Sequence, residues 1–370
     1  MMFCMRDSAY GDSLLLSDLL PSVGTYLGVS AQRIPPIDLI QSNRYVIVLV
    51  DGLGWEILVR ALSHAPYLSG LIGDAAKLEV GTPTTTATSL MSLWTGVGAG
   101  RHGVVGFSFE TGGRTDVPRG VTVPLGLTRP LRTAPSYLDR LVDDGIEVSS
   151  VMPAEHCRSG LTVMGTRRAN LIGADDDDHR IPAIVEATQR GLKSLVYAYE
   201  PRLDHAGHGH GVASDSWIQA LELIDTFLGD LREELDDDVC LLVTGDHGMV
   251  DVPPPQRINI DEEPILNQGL RLIGGEARFR HLYTDEPAAV KARWVERLGD
   301  EAEVLTRDEA IQAGLFGKVK PRYLTRIGDV VASPTGSQAY LASLFPGEFS
   351  LVGFHGARTS AERFVPLMID

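Results

Sequence analysis

Residues 239–249 read VCLLVTGDHGM, and this stretch decides the fold. Val239 to Val243 is apolar at every position, so both faces of the segment are buried. That is the pattern of a strand inside a parallel sheet covered by helices. The run stops at Asp246-His247, two side chains that cost free energy to bury, placed side by side where the strand leaves the core. In open parallel sheets, sites form beyond the carboxyl ends of the strands.

Working outward, the same design recurs. Tyr45–Val50 (YVIVLV) ends at Asp51-Gly52, and Leu195–Tyr199 is followed by Asp204. The intervening segments predict helices at about 55–62, 135–144, 181–191 and 214–235, with strands near 78–81 and 146–152. Such alternation predicts a three-layer α/β/α fold around a doubly wound, mostly parallel sheet. Residues 12–28 predict an amphipathic helix broken by Pro21, and Asp175–Asp178 a solvated loop. After Val252 the elements shorten. Strands are expected at 278–284, 302–306, 328–332 and 338–343, and helices at 286–298 and 307–314. This predicts an α+β subdomain over 253–350, inserted into a core made of 1–252 and 351–370, whose last apolar piece (FVPLMI) returns to the main domain.

Composition narrows the class. The 370 residues are 44% hydrophobic and carry a formal net charge of −16. With no basic run to offset it, that charge disfavours nucleic-acid polymers and anionic membranes. The three cysteines, Cys4, Cys157 and Cys240, lack CxxC spacing, which argues against a disulfide framework or thiolate metal site. No basic and apolar leader and no uncharged apolar run of transmembrane length stands out, so a cytoplasmic location without membrane insertion is expected.

Three carboxylates at or near the ends of three core strands are more than helix capping requires. Asp204 and His208 are four apart in EPRLDHAGHGHG (200–211), hence on one face of a helical turn. His205 and His210 point elsewhere. Oxygen and imidazole donors without thiolate suit Zn²⁺, Mn²⁺ or Fe. Asp51, Asp204, His208, Asp246 and His247 exceed what one tetrahedral ion uses, so two ions are expected. Paired ions stabilise the attacking and leaving oxygens of an in-line phosphoryl displacement. A nucleophile is then sought in TPTTTATSLMSLWTG (82–96), where a Thr-rich segment opens a helix near Thr86. A hydroxyl there faces unpaired backbone N–H groups and the positive end of the helix dipole.

Together VDGLG (50–54), PTTTATSLMSLWTG (83–96), RHGVVG (101–106), DHAGHGHG (204–211), TGDHGM (244–249) and FHG (354–356) resemble the alkaline phosphatase superfamily. They are most similar to its type I phosphodiesterase/nucleotide pyrophosphatase branch. The resemblance implies two metal sites, usually zinc: Asp51, Asp246, His247 and the nucleophile Thr86 around one ion, Asp204, His208 and His355 around the other. It implies hydrolysis of phosphodiester or phosphoanhydride bonds in a small phosphorylated substrate through a phosphothreonine, with phosphonate or monoester hydrolysis and a non-catalytic binding protein as alternatives. Thr84, Thr85 and Thr88 compete with Thr86, and His281 with His355. Two positions depart from the branch. Ser89 replaces an Asn common there, and Phe107 stands where the branch places an Asn that hydrogen-bonds a phosphate oxygen; a phenyl ring cannot donate that bond. The loop 107–135 and the insertion are expected to grip the organic half of the substrate.

Overall fold

The computed structural model of the chain describes residues 13–29, 37–111 and 133–370. Its centre is an eight-stranded sheet: β1 (Leu14–Leu15), β2 (Arg44–Val50), β3 (Ala76–Glu79), β4 (Glu147–Met152), β5 (Asn170–Gly173), β6 (Ser194–Glu200), β7 (Val239–Gly245) and β8 (Phe364–Ile369), in the order β1-β3-β8-β7-β2-β6-β4-β5. All pairings are parallel except the two made by β8.

The unbroken apolar strands divide between two cores by the twofold alternation of side chains. Tyr45, Ile47 and Leu49 of β2, Leu195 and Tyr197 of β6, and Leu242 of β7 face one layer. Val46, Val48, Val50, Val196, Ala198, Leu241 and Val243 face the other. Helices Leu19–Tyr26, Thr86–Thr95 and Tyr137–Asp143 cover the first; Trp55–Ala61, Asp177–Thr188 and Asp215–Glu234 cover the second. The last begins at Ser214, whose hydroxyl accepts from Trp217 N at 3.2 Å, and buries Trp217, Leu221, Ile224, Leu228 and Leu231 at helical spacing. Each such side chain stabilises the fold by about 1.5–3 kcal/mol relative to exposure.

Several sequence expectations shift. Pro21 does not break its helix but lies in the first turn of Leu19–Tyr26, where its missing N–H has no intrahelical partner to lose. The strand expected at 78–81 is Ala76–Glu79, and the helix expected at 181 starts at Asp177. The Asp175–Asp178 run is therefore not a plain loop: Asp176 caps that helix by accepting from His179 N at 3.0 Å, and Asp177 and Asp178 fill its first turn, favoured by the dipole. Cys4 and residues 112–132 of the 107–135 loop lie outside the described residues.

Within 253–350, an antiparallel sheet combines Leu272–Glu276, Phe279–Tyr283, Val330–Pro334 and Ala302–Thr306 around a third apolar core that includes Leu282, Val290 and Trp294. Leu272–Glu276 (LIGGE) was not foreseen as a strand, since two central glycines weaken its pattern. It pairs along its whole length with Phe279–Tyr283. β8 brings the C-terminal segment between β3 and β7, antiparallel to both. Among the described residues, no helix is long and apolar enough to cross a membrane.

Candidate metal centre

β7, β2 and β6 are adjacent in the middle of the sheet and point their carboxyl ends the same way. Asp51 leaves β2 with its amide on Glu200 O at 2.9 Å, and Asp246-His247 leave β7 one strand away. Asp204 lies in the helix Arg202–His210 that follows β6. The loops approach so closely that a Cβ on Gly54 would stand 2.6 Å from the Gly248 Cα, which accounts for the glycines flanking both motifs. Gly52 adopts φ +78° and directs its N–H to Asp246 Oδ1 at 3.1 Å.

Two groups of donor atoms result. His247 Nε2 lies 3.3 Å from Asp51 Oδ1 and 3.5 Å from Asp246 Oδ2. His208 Nε2 lies 3.4 Å from Asp204 Oδ1 and 3.3 Å from His355 Nε2, which is 4.0 Å from the same Asp204 oxygen. The groups abut: the His247 and His355 rings stack with centroids 3.7 Å apart, and Asp204, His247 and His355 also hold ligand atoms within 4.8 Å of one another. All six predicted carboxylate and imidazole residues are thus brought together. His355 reaches the cluster from a two-residue strand, Gly353–Phe354, paired antiparallel with Val250–Asp251 just beyond β7. His281, its competitor, is elsewhere: it accepts from Gly328 N at 3.1 Å through Nδ1 and faces Val105 O at 2.7 Å through Nε2. Exposed His205 and His210 stay out of the cluster.

The donor set fits cations. His208, His247 and His355 each turn Nδ1 to a carbonyl, of Gly353 at 2.8 Å, Gly248 at 3.1 Å and Thr84 at 2.9 Å. That bond places the proton on Nδ1 and leaves the Nε2 lone pair aimed inward. Two imidazole lone pairs 3.3 Å apart repel unless a positive charge lies between them. Asp204 Oδ1 and Asp246 Oδ2 are buried and meet no hydrogen-bond donor. Without cations, burial pushes Asp204 and Asp246 up to about 7, and Asp51 well above its usual range with Asp246 adding repulsion. Burial holds His247 down at about 3 and His355 well below its ordinary value. Desolvation thus disfavours the charged forms of these five side chains, and bound divalent ions would offset the cost for the carboxylates.

Thr86 is the first residue of the helix Thr86–Thr95. Its Oγ1 lies 3.1 Å from His247 Nε2 and 3.4 Å from both oxygens of Asp51. Two of the competing threonines are engaged elsewhere. Thr84 donates to Ala357 O at 2.7 Å and accepts from Gly356 N, and Thr88 reaches Val104 O. Ser89 is buried, and its hydroxyl finds no partner. Phe107 keeps its ring partly exposed while its amide donates to Glu276 Oε2 at 3.2 Å.

Sequence reasoning missed two neighbours. The Tyr199 hydroxyl donates to Asp51 Oδ2; a tyrosine in a fully buried strand needs a hydroxyl partner, which was the available signal. Glu276 ends the strand Leu272–Glu276, and nothing in the sequence joined it to Phe107.

The family model for type I phosphodiesterase/nucleotide pyrophosphatase matches residues 45–358. Among curated proteins, the chain is 29% identical over 155 residues to a phosphopentomutase of Shewanella denitrificans (40% of this chain, 36% of that protein). It is 34% identical over 104 residues to ectonucleotide pyrophosphatase/phosphodiesterase 1 of Saccharomyces cerevisiae (25% of this chain, 13% of that protein). The chain therefore spans about a third or less of the length of these relatives. Among solved structures, murine ectonucleotide pyrophosphatase/phosphodiesterase 5 superposes with a TM-score of 0.65 at 16% identity, covering 88% of this chain and 87% of that one. A phosphonoacetate hydrolase from Sinorhizobium meliloti, in complex with phosphonoformate, gives 0.66 at 16% identity, covering 90% and 92%.

Proposed function

The chain belongs to the type I phosphodiesterase/nucleotide pyrophosphatase family, a metal-dependent one, and from that premise we propose that it is a bimetallic phosphohydrolase acting on a phosphodiester or phosphoanhydride bond of a small phosphorylated molecule. The observation that carries the reading is the convergence of Asp51, Asp204, Asp246, His208, His247 and His355 beside a hydroxyl at a helix N-terminus. Asp51, Asp246, His247 and Thr86 would hold one ion and Asp204, His208 and His355 the other, zinc being the first choice and manganese or iron the others. Such ions supply the positive charge that favours an ionised Thr86 oxygen and a departing alkoxide or phosphate.

The chain's own part is positioning. Asp51 and His247 flank Thr86 Oγ1 and fix its direction, and Tyr199 holds Asp51 in place. The Thr86 oxygen attacks phosphorus in line; the Oγ1–P bond forms as the bond to the leaving oxygen breaks, and the leaving group takes up the proton that the hydroxyl loses. Water then cleaves the phosphothreonine and restores Thr86. The N–H groups of Thr86 and Ala87, which meet no acceptor among the described residues, are placed to hold a non-bridging oxygen.

Among the described residues, no Arg or Lys pairs with the carboxylates of the donor cluster, which favours a diester's single negative charge over a monoester's two. Phosphonate hydrolysis is the second reading, because the centre supplies the same attack on phosphorus. The fold neighbours are also solved with AMP, in a threonine-to-alanine inactive form, and with phosphonoformate. Residues 253–350 are taken as an insertion into a core of 1–252 and 351–370 that adds substrate contacts, and three cysteines without paired spacing keep a cytoplasmic location as the working assignment.

The test is turnover by metal-replete protein of bis-p-nitrophenyl phosphate, p-nitrophenyl phosphate and phosphonoacetate, with metal content measured. Faster diester hydrolysis that vanishes in Thr86→Ala at unchanged metal content is expected. Phosphate release from phosphonoacetate alone would move the assignment to the second reading, and undiminished activity in Thr86→Ala would remove the nucleophile.

A further inference from the structure

Thr84 is fully buried two residues before Thr86, and each of its polar groups meets the segment that carries His355. Its N–H donates to Gly356 O at 3.2 Å, part of an isolated antiparallel bridge between the two residues. Its hydroxyl accepts from Gly356 N at 3.1 Å and donates to Ala357 O at 2.7 Å. Its carbonyl accepts from His355 Nδ1 at 2.9 Å. Buried threonine hydroxyls commonly bond backbone groups within their own turn. This one takes partners 272 and 273 residues along the chain.

These bonds fall on the part of the chain that most needs them. His355 and Ala357 lie outside every strand and helix, so no regular ladder fixes the imidazole. Gly356 adopts φ +129°, and a Cβ there would stand 2.9 Å from Glu276 Cγ. The Thr84 carbonyl can only accept, so it keeps the His355 proton on Nδ1 and leaves Nε2 for His208 Nε2, 3.3 Å away. The Thr84 hydroxyl fixes the backbone under that ring by satisfying the next amide and the carbonyl after it. Ala357 N–H is held separately, by Glu362 Oε1 at 3.0 Å. Residues 84–86 thereby reach both donor groups, Thr84 at His355 and Thr86 at Asp51 and His247.

We propose that Thr84 is a positioning residue whose hydroxyl holds His355 in place within the Asp204–His208–His355 ligand group. Thr84 is thus no rival nucleophile but a clasp between the nucleophile's segment and the C-terminal ligand. Removing the hydroxyl takes the partner from two buried backbone groups, Gly356 N–H and Ala357 O, which then relax toward other partners. His355 Nε2 moves away from Asp204 and His208 as they do. The Asp51–Asp246–His247 group keeps its geometry, because Asp51 and Asp246-His247 stand directly beyond the ends of β2 and β7. The inference rests on the two-ion reading of the centre. It goes beyond that reading by making one ligand group, and not the other, depend on a hydroxyl outside both.

The test compares Thr84→Val, which keeps the shape and loses the hydroxyl, with Thr84→Ser, which keeps the hydroxyl. Zinc chloride is titrated into metal-free protein by calorimetry, with thermal stability recorded beside it. His355→Ala and Asp246→Asn show which binding phase belongs to which ligand group. Thr84→Val is expected to weaken the His355 phase roughly 10–100-fold, the scale for residues that orient metal ligands, and to leave the Asp246 phase unchanged. Thr84→Ser should restore wild-type zinc binding. A merely structural role lowers the melting temperature and weakens both phases alike or neither, and either result overturns the proposal. So does a Thr84→Ser protein as weak as Thr84→Val. If Thr84→Val does not fold, Thr84→Ala takes its place. Wild-type protein that binds a single zinc ion overturns this inference and the two-ion reading together. Selective loss in a protein that hydrolyses none of the esters would uphold this inference and sink the phosphohydrolase reading alone.

Discussion

Two regions of the molecule bury charge in opposite ways. At the carboxyl ends of β2, β6 and β7, three aspartates crowd together and no Arg or Lys pairs with them among the described residues. At the junction between residues 253–350 and the C-terminal segment, buried charges are matched by the protein. Arg278 makes two parallel bonds to Glu362, Nε–Oε1 and Nη2–Oε2, both 2.8 Å. Glu362 also accepts from Ala357 N and Thr359 Oγ1. Arg280 pairs with Glu348 nearby. The junction's charges are paired without a ligand. The centre is an unbalanced charge that only cations from outside can offset, and the junction anchors Ala357, two residues from His355, against it.

Asp246→Asn separates the two most strongly. Hydrolysis should fall by roughly a thousandfold or more, as for removal of a catalytic group, while metal-free protein melts at a higher temperature because a repelled carboxylate is gone. Kinetics beside calorimetry checks both; a metal-free protein made less stable would break the contrast. The junction should respond in the opposite sense. Arg278→Met leaves Glu362 buried and unpaired, at a cost of about 3–5 kcal/mol, read by denaturant unfolding whether or not metal is present.

The pH response differs as well. In metal-free protein, Asp204 and Asp246 titrate near 7 when folded and near 3.9 when unfolded. Between those values the folded state holds protons that the unfolded chain has released, so stability present below about pH 4 is lost as pH rises through 7. Saturating metal, which needs the ionised carboxylates, should reverse that slope. Thermal unfolding from pH 5 to 8 with and without chelator measures it, and parallel curves would refute the unbalanced-charge account. The smallest effect is expected at exposed His205 and His210: alanine at either changes turnover by less than about twofold, since neither joins the cluster, and surface changes are usually within about 0.5 kcal/mol.

Much of the fold was legible because strands buried on both faces write unbroken apolar runs, and β2, β6 and β7 do so. The Asp51, Asp204-His208 and Asp246-His247 groups were legible for the same reason: each stands at or just past the end of such a run, or one helical turn along. The choice of Thr86 over its neighbours and of His355 over His281 came from family resemblance, because nothing local distinguishes one threonine or histidine from another. Leu272–Glu276 was missed because its glycines erase the strand pattern, and Glu276 with it.

By itself, then, the amino-acid order determined the layered architecture and which polar side chains leave the core at the sheet's carboxyl edge, since both follow from periodicity and the cost of burying polar groups. Only the tertiary structure decided which hydroxyl faces Asp51, which imidazole meets His208, and which carboxylate of 253–350 receives the Phe107 amide. Those contacts join segments up to 169 residues apart, as between Phe107 and Glu276. Their partners are selected by how loops pack against one another, a property of three-dimensional distance that no local pattern encodes.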